Sequence, residues 1–268
     1  MTDDDRHARP QRRASFRFYA ELNDFLPESR RQVRFDHSFT GTPAVRDAIQ
    51  ALGVPHTAID LVVVDGRSVD FSHRLRGGER VAVYPVFERL DISPVVRLRP
   101  APLRRTRFVL GASLGKLARY LRMLGFDTTW ERDLDDEEIV EIALDERRII
   151  LTRDVGILKQ GRVTHGYWLR NTRPERQLPE VVRALQLERQ ARPFTRCLDC
   201  NGLLEPAARE AIADRVEKAI LARFDRFWHC LDCGKAYWRG SHYRRMLQRV
   251  RRAVPDAAPG AGGESADA

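Results

Sequence analysis

Four cysteines lie in two matching pairs near the C-terminal end of the chain. Cys197 and Cys200 enclose a Leu-Asp dipeptide, Cys230 and Cys233 enclose the same dipeptide, and 29 residues separate the pairs. Thiolates at this spacing can share a tetrahedral ion, and four of them complete the coordination shell of a structural zinc. A redox-active pair and coincidence are the alternatives, but two matching pairs with no other cysteine favour zinc. Such a zinc organises the chain around it and does not activate water.

Acidic residues follow two of the predicted strands farther upstream. They are Asp133, Asp135, Asp136, Glu137 and Glu138 after one strand and Asp154 after another. Converging carboxylates can hold Mg²⁺ or Mn²⁺, and a water bound to such a cation can attack a phosphodiester. The alternative is structural, because Asp135 and Glu138 have the spacing of a helix capping box and the helix dipole stabilises acids in a first turn. The residue types alone leave both interpretations open.

Aromatic and arginine residues surround the cysteine pairs. The aromatic residues are Phe194, Phe227, Trp228, Tyr237, Trp238 and Tyr243, and the arginines are Arg196, Arg226, Arg239, Arg244 and Arg245. This combination suits base stacking and phosphate contacts. The alternative, which we favour for Phe227 and Trp228, is that the rings form the core of a small unit with few other apolar side chains.

The elements that would position the acids alternate between strands and helices from Phe108 onward. The predicted strands are FVL, DTTW, RIILT and VTHGYWL, and the predicted helices span residues 114–124, 137–144, 155–159 and about 180–187. Repeated βα units indicate a parallel sheet with helices on both faces. The functional crevice of such a sheet forms at the carboxyl ends of its strands. Gly111 and the segments 131–136 and 152–154 are therefore expected there.

The segment 15–90 has a different pattern, with several strands and one helix. Asp65-Gly66 is a two-residue hairpin signal between apolar runs, and Gly77-Gly78 precedes another strand. These elements predict a small α+β module. Between Asp91 and Arg107, prolines and arginines predict a basic linker, for which a solvated connector without a partner is an equal alternative.

Composition and charge narrow the class of protein. Of 268 residues, 43% are hydrophobic and 32% are charged, and no apolar run has membrane length. The first residues contain no apolar stretch suited to a signal peptide, and four cysteines are too few to staple a secreted chain of this size, so a cytoplasmic location is expected. A net charge of +9 makes RNA or DNA the leading class of partner. However, only four of the 47 basic residues are lysine, and the arginine excess can equally reflect a GC-rich genome.

Six motifs occur in order along the second half of the chain. They are LGKLARYLRMLGFDT (114–128), DLDDEEI (133–139), ILTRD (150–154), THGYW (164–168), RCLDCNGLLEP (196–206) and CGKAYWRGSHYRRM (233–246). Over about residues 107–247 the chain resembles the Mut-seven C-terminal RNase domain family, a PIN-like ribonuclease with a fused zinc ribbon. The N-terminal part, ending RLRGGERVAVYPVFE, resembles a ubiquitin-like β-grasp module similar to small sulfur-carrier proteins. Because Gly77-Gly78 is internal here, it cannot be a carrier's free C-terminal diglycine.

The resemblance implies an α/β protein with three domains. They are a ubiquitin-like β-grasp α+β domain at 14–90, a PIN-like parallel-sheet α/β domain at 107–190 and a C-terminal zinc ribbon at 194–247. Residues 1–13 and 254–268 are predicted to be disordered tails, since the second is rich in Pro, Gly, Ala and acids.

The resemblance also implies a metal-dependent ribonuclease. Asp136 and Asp154 match its pattern of Mg²⁺ or Mn²⁺ ligands, and Asp135 would assist through a bound water or by supporting the ligands from behind. One position departs from that pattern: the family carries an aspartate at the end of the first strand, where this chain has Gly111. Losing one carboxylate removes one negative charge and one of the oxygen ligands that fix the coordination geometry of a magnesium ion.

Three hypotheses follow. The first is a Mg²⁺- or Mn²⁺-dependent ribonuclease, weakened by Gly111. The second is a catalytically impaired RNA-binding protein that recruits RNA or a ribosome-like partner through its ribbon and β-grasp module. The third is a β-grasp adaptor whose main partner is another protein. No hypothesis involves a membrane.

Overall fold

The structure, a computed structural model, describes residues 11–85 and 105–255. These residues form two compact units: the first contains 11–85 together with Val155–Tyr167, and the second contains 105–154 and 168–255. Among the described residues, none of the helices combines the length and apolar character needed to cross a bilayer. Most of the predicted linker and of both predicted tails lies outside the described residues.

The first unit is built on a five-stranded mixed sheet. Its strands are β1 (Gln11–Phe18), β2 (Phe35–Thr40), β3 (Ile59–Val64), β4 (Arg67–Val69) and β5 (Arg80–Pro85), and its helix is α1 (Val45–Ala51). Short 3₁₀ helices lie at Ala20–Phe25, Glu28–Arg30 and His56–Ala58. The strand order is β2-β1-β5-β3-β4, with β1 and β5 parallel and every other pairing antiparallel. One helix and a central parallel pair give the β-grasp topology that the sequence predicted.

Alternating side chains of β1 explain which face of this sheet is buried. Ala14, Phe16 and Phe18 are each at most 2% exposed, and they pack with Val45 and Ile49 of α1. The predicted hairpin is confirmed, because β3 and β4 are joined at Asp65 and Gly66, both with positive φ. Such a turn matches the natural twist of paired strands.

The ends of the predicted tails need correction. Residues 11–13 belong to β1 and pair with residues 38–40 of β2, so their backbone groups are satisfied by the sheet. At the other end, Val254 is only 1% exposed and its N–H donates to the carbonyl of Val250 at 2.8 Å. The predicted domain boundaries otherwise stay a prediction.

Two side chains of the first unit hold the segment Val155–Tyr167, which contains α4 (Val155–Lys159). Gln50 Nε2 donates to the carbonyl of Lys159 at 2.7 Å and lies 3.1 Å from His56 Nδ1. His56 Nε2 lies 2.8 Å from the carbonyl of Val163, which fixes the neutral ring with its proton on Nε2. Burial lowers the pKa of His56, in agreement with a neutral ring.

The second unit begins with the parallel sheet that the βα pattern predicted. Its strands are β6 (Arg107–Leu110), β7 (Asp127–Thr129) and β8 (Ile149–Thr152), in the order β7-β6-β8. Strand β9 (Gly166–Trp168) begins in the segment counted with the first unit and ends at Trp168 of the second. The helices of the second unit are α2 (Gly115–Met123), α3 (Asp136–Asp145) and α5 (Pro174–Ala184), with 3₁₀ helices at Ala112–Leu114 and Glu188–Gln190. Strand β6 is parallel to both β7 and β8. Phe108, Val109 and Leu110 are fully buried, as expected for a strand covered on both faces.

The strand order decides where a site can form. Strands β7 and β8 lie on opposite sides of β6. The connection that leaves β6 therefore runs to one side of the sheet, and the next strand, β8, is added on the other side, which makes the gap between β6 and β8 a switch point. Ligands of open α/β sheets bind outside the carboxyl ends of the strands at such a switch point. Gly111 follows β6, and Thr152 ends β8.

Helix α5 begins six residues earlier than the sequence predicted. It starts at Pro174, which occupies the first helical position, where its missing N–H costs nothing. Pro179 lies inside the helix and misled the prediction. The buried side chains Leu178, Val181 and Val182 hold this helix against its neighbours despite the proline.

The cysteine-containing part completes the second unit. It comprises β10 (Leu204–Ala207), a 3₁₀ helix at Glu210–Ile212, α6 (Lys218–Arg223), β11 (Phe227–Cys230), β12 (Ala236–Trp238) and α7 (Ser241–Ala253). Strand β11 lies between β10 and β12 in an antiparallel sheet. Phe227 packs in a small core with Ile212 and Val216, as predicted. Trp228 is buried but points to the opposite face, since side chains alternate along a strand.

Candidate functional site

Gly111 lies at the carboxyl end of β6 in an ordinary extended conformation. Its φ is −59° and its ψ is 150°, values open to any residue. Its N–H donates to the carbonyl of Leu151 in β8 at 3.0 Å. A Cβ at this position would lie 3.4 Å from Thr152 Oγ1, an ordinary van der Waals distance. The backbone therefore does not require glycine here.

Asp154 lies just beyond the end of the neighbouring strand. Its backbone N–H donates to Thr152 Oγ1 at 2.9 Å, and the Trp168 indole donates to the carbonyl of Arg153 at 3.2 Å. These bonds hold the short turn that carries the Asp154 carboxylate at the exposed edge of the sheet.

Helix α3 begins at the same edge with a complete capping box. Asp135 Oδ1 accepts the N–H of Glu138, and the Glu138 carboxylate accepts the N–H of Asp135, both at 2.9 Å. The structural interpretation of this pair is therefore confirmed. Asp136 is the first helical residue, so the cap fixes its backbone. A role for Asp135 in the reaction stays a prediction.

The carboxylates of Asp136 and Asp154 are close enough for their charges to interact. Desolvation raises the pKa of Asp136, and the negative charges of Asp154 and Asp135 raise it further. Carboxylates that repel one another in this way are relieved by a bound cation. Within the described residues, however, only the four cysteines form a group of three or more potential ligands close enough to share one ion. Asp136 and Asp154 are thus two carboxylates whose charges interact at this end of the sheet, and Gly111 follows the strand between β7 and β8.

The four cysteine sulfurs form a compact cluster. All four Sγ atoms lie within 4.8 Å of one another, with 3.7 Å between Cys197 and Cys233 and 3.3 Å between Cys200 and Cys230. Four sulfurs around a tetrahedral zinc at ~2.3 Å stand about 3.8 Å apart, so the cluster fits that ion. Gly202 allows this approach, because a Cβ there would lie 2.7 Å from the Cys230 sulfur.

The Tyr237 hydroxyl supports this cluster. It accepts the N–H of Leu198 at 3.1 Å, and it lies within hydrogen-bonding distance of Cys197 Sγ, at 3.0 Å. Burial acts to raise the pKa of Cys197, but this bond and the backbone N–H of Cys200 lower it to about 7. Burial, in contrast, raises the pKa of Cys200 to about 12, so this thiol would become a thiolate only when a metal coordinates it.

A polar network joins the cysteine loop to the parallel sheet. Asn201 Nδ2 donates to Asp127 Oδ1 of β7 at 2.8 Å, and Asn201 Oδ1 accepts the N–H of Thr128 at 2.9 Å. The buried guanidinium of Arg122 donates to the carbonyls of Thr128 (3.0 Å), Leu198 (3.2 Å) and Asp199 (2.5 Å). The cysteine loop is therefore tied to the edge strand of the sheet.

Comparison with known proteins decides the family. The family model described as the Mut7-C RNAse domain matches residues 106–250, more than half of the chain. The chain belongs to the Mut7-C RNase domain family. A second model, described as Mut7-C ubiquitin, matches residues 11–91. No curated protein and no solved structure matches the chain.

Sequence reasoning missed the residues that join the two parts of the Mut7-C domain. Arg122 lies one helical turn after Ala118, which is buried. This spacing is a signal that could have placed Arg122 on the buried side of α2. Asn201 immediately follows the first cysteine pair and has a φ of 76°, a conformation that asparagine tolerates better than most residues.

We expect Arg122→Met to destabilise the Mut7-C domain. It leaves three backbone carbonyls without their donor, and we expect the free energy of unfolding to fall by about 3 kcal/mol. Chemical denaturation followed by tryptophan fluorescence measures this change. Arg119→Met is the matched control: Arg119 is exposed and makes a 3.4 Å ion pair with Asp199, so its loss should cost less than about 0.5 kcal/mol. Equal costs for the two variants would contradict the role of Arg122.

Proposed function

We propose that this chain is a ribonuclease that uses Mg²⁺ or Mn²⁺ held by Asp136 and Asp154. The observation that carries the proposal is where the two residues lie in the fold: Asp154 follows β8, and Asp136 begins the helix after β7, beside the switch point of the sheet. Desolvation raises the pKa of Asp136, and the charge of Asp154 raises it further, which agrees with two carboxylates near each other. Membership of the Mut7-C RNase domain family supports the reaction class.

The two carboxylates suit the cation by their chemistry. Carboxylate oxygens are the ligands that Mg²⁺ and Mn²⁺ prefer. When bound, the cation would neutralise phosphate charge and lower the pKa of a bound water. Asp136 is held by the capped start of α3, and Asp154 by the turn after β8, so neither position depends on a long loop. Asp135, next to Asp136 in the chain, would assist through a bound water or by supporting the ligands.

The experiment is cleavage of a labelled mixed-sequence RNA with and without Mn²⁺. Asp136→Asn and Asp154→Asn should each reduce Mn²⁺-dependent cleavage at least about 100-fold, because each removes one charge and one ligand. Asp145→Asn is the matched control, since Asp145 is exposed at the opposite end of α3. Cleavage that is unchanged in both Asp136→Asn and Asp154→Asn would refute the assignment of this site.

A second candidate function is favoured by Gly111 itself. With glycine in place of the third carboxylate, the same fold can bind RNA through its basic surface and cleave it slowly or not at all. In that case the ribbon and the ubiquitin-like domain would recruit RNA or another partner. The same cleavage assay, run beside a binding assay, separates the two functions.

We expect RNA binding to persist in EDTA at low salt and to weaken steeply as salt is added. Arginines that neutralise phosphates release counterions, so the affinity should fall at least about tenfold between ~50 and ~200 mM salt. Fluorescence anisotropy with a labelled single-stranded RNA measures the slope. Strong binding that salt does not weaken would point to recognition in a pocket, and an absence of binding at ~50 mM salt would favour the adaptor hypothesis.

A further inference from the structure

An aromatic pocket lies where the cysteine-containing sheet meets helix α7. It is an open cleft with about 420 Å³ of space between its side chains, including the solvent at its mouth. Its lining residues are Phe194, Arg196, Leu198, Leu204, Trp228, Tyr237, Trp238, Arg239, Tyr243 and Met246. Neither Asp136 nor Asp154 lines it, so the pocket is separate from the carboxylate site.

The pocket is not simply the core of the ribbon. That core lies on the other face of β11, where Phe227 packs with Ile212 and Val216. Trp228 follows Phe227 along the strand and faces the pocket instead. The ribbon therefore keeps a second set of aromatic side chains that its own core does not use.

Trp228 carries a polar group that the fold leaves without a partner. The residue is 8% exposed, and its indole Nε1–H has no hydrogen-bond partner among the residues that the structure describes. A buried donor without an acceptor costs stability, so this face of the ribbon is not packed for stability alone.

The other walls suit a flat, electron-rich ring on an anionic backbone. The Arg239 guanidinium lies 5.5 Å from the Trp228 ring centre and 5.7 Å from that of Tyr243. The rings of Tyr243 and Phe194 lie 4.7 Å apart and are tilted by 46°, so they are not closed into a parallel stack. Aromatic faces beside arginine are the usual stacking platform for unpaired bases.

The charge of helix α7 favours a polyanion over an apolar peptide. The helix supplies Tyr243 and Met246 to the pocket, and along its length it carries five arginines and no acidic residue. A single-stranded nucleic acid could therefore place one base in the pocket while arginines of the same helix neutralise its phosphates.

We propose that this pocket receives one unstacked nucleobase of a single-stranded RNA, which stacks against the rings of Tyr243 and Trp228. The inference rests on the proposed function, because it takes RNA to be the polymer that the chain binds. It adds a base-binding subsite in the ribbon, apart from the site of cleavage.

The test compares two single-stranded probes of equal length, a mixed-sequence RNA and an abasic sugar-phosphate oligomer, with no divalent cation added. The full chain should bind the RNA at least tenfold more tightly than the abasic oligomer. Tyr243→Ala should weaken RNA binding about 5- to 150-fold and leave binding of the abasic oligomer unchanged. In ¹⁵N-labelled protein, the indole N–H resonance that disappears in Trp228→Phe should shift when RNA is added and stay in place with the abasic oligomer.

Two further variants of α7 serve as controls. Gln248→Ala changes an exposed residue that does not line the pocket, so it should leave both affinities unchanged. Arg245→Ala, at an exposed arginine, should weaken both probes by the same factor. Equal affinity of the wild-type chain for the two probes, or equal weakening of both by Tyr243→Ala, would overturn the inference.

The outcome is separable from that of the proposed function. RNA cleavage without discrimination between the two probes refutes the pocket alone. Discrimination without any Mn²⁺-dependent cleavage refutes the ribonuclease proposal and supports the pocket.

Discussion

Gly111→Asp is expected to raise Mn²⁺-dependent RNA cleavage at least about tenfold. The new carboxylate would adjoin Thr152 at the end of β8, beside the turn that carries Asp154, and would add one charge and one oxygen ligand to the cation site. Backbone strain does not oppose the change, because the φ of Gly111 is −59° and a Cβ there would make only ordinary contacts, the nearest at 3.4 Å from Thr152 Oγ1. The rate of cleavage of a labelled RNA, measured across a Mn²⁺ titration, reports the gain.

Gly111→Asn is the matched control for this prediction. It has nearly the same shape as Gly111→Asp but adds no charge, so it should give little or no gain in cleavage. Mn²⁺ should also raise the melting temperature of Gly111→Asp more than that of Gly111→Asn, because a ligand that binds the folded state stabilises it. Adding Asp154→Asn to Gly111→Asp should abolish the activity.

Two results would contradict this account of Gly111. One is a Gly111→Asp variant that folds and binds RNA normally but cleaves no faster than the parent. The other is a parent chain that already cleaves fast and loses that activity on Asp136→Asn, which would mean that Asp133 or Asp135 serves as the third ligand.

Removal of zinc is expected to unfold the cysteine-containing sheet. We predict one zinc per chain, since the four cysteines form one complete tetrahedral set and the chain has no others. Binding of structural zinc is worth ~10–16 kcal/mol in small zinc domains, so Cys230→Ser should lose the metal and the fold of the ribbon together. Elemental analysis gives the stoichiometry, and the fluorescence of Trp228 and Trp238 reports the loss of structure.

Leu231→Ala is the control for the cysteine variant. Leu231 lies between Cys230 and Cys233 but is 49% exposed, so its truncation should preserve both zinc and fold. Less than about half an equivalent of zinc in protein purified without added metal, with all four thiols freely titratable, would refute the zinc site. Since the loop is tied to β7 through Asn201 and Arg122, loss of zinc should also loosen that edge of the parallel sheet.

Local sequence patterns determined much of this protein. The spacing within each cysteine pair is a local property of the sequence. Once the two turns that carry these pairs come together, the four sulfurs form one compact cluster. The capping box at Asp135 and the hairpin at Asp65-Gly66 depend on residues only a few positions apart, so they were predictable. The apolar run Phe108–Leu110 in β6 likewise indicated a strand buried in a parallel sheet.

Only the tertiary structure decided the features that depend on distant residues. The sequence could not tell whether Gly111 was needed for a left-handed backbone, because φ at a strand end depends on its neighbours in the sheet, and the structure shows that it was not. Phe227 lies in the small core and Trp228 lines the pocket, because adjacent side chains of a strand face opposite sides of the sheet. The pocket exists only because α7 packs against the Trp228 side. Arg122 reaches carbonyls more than 70 residues away, a partnership that no local pattern encodes.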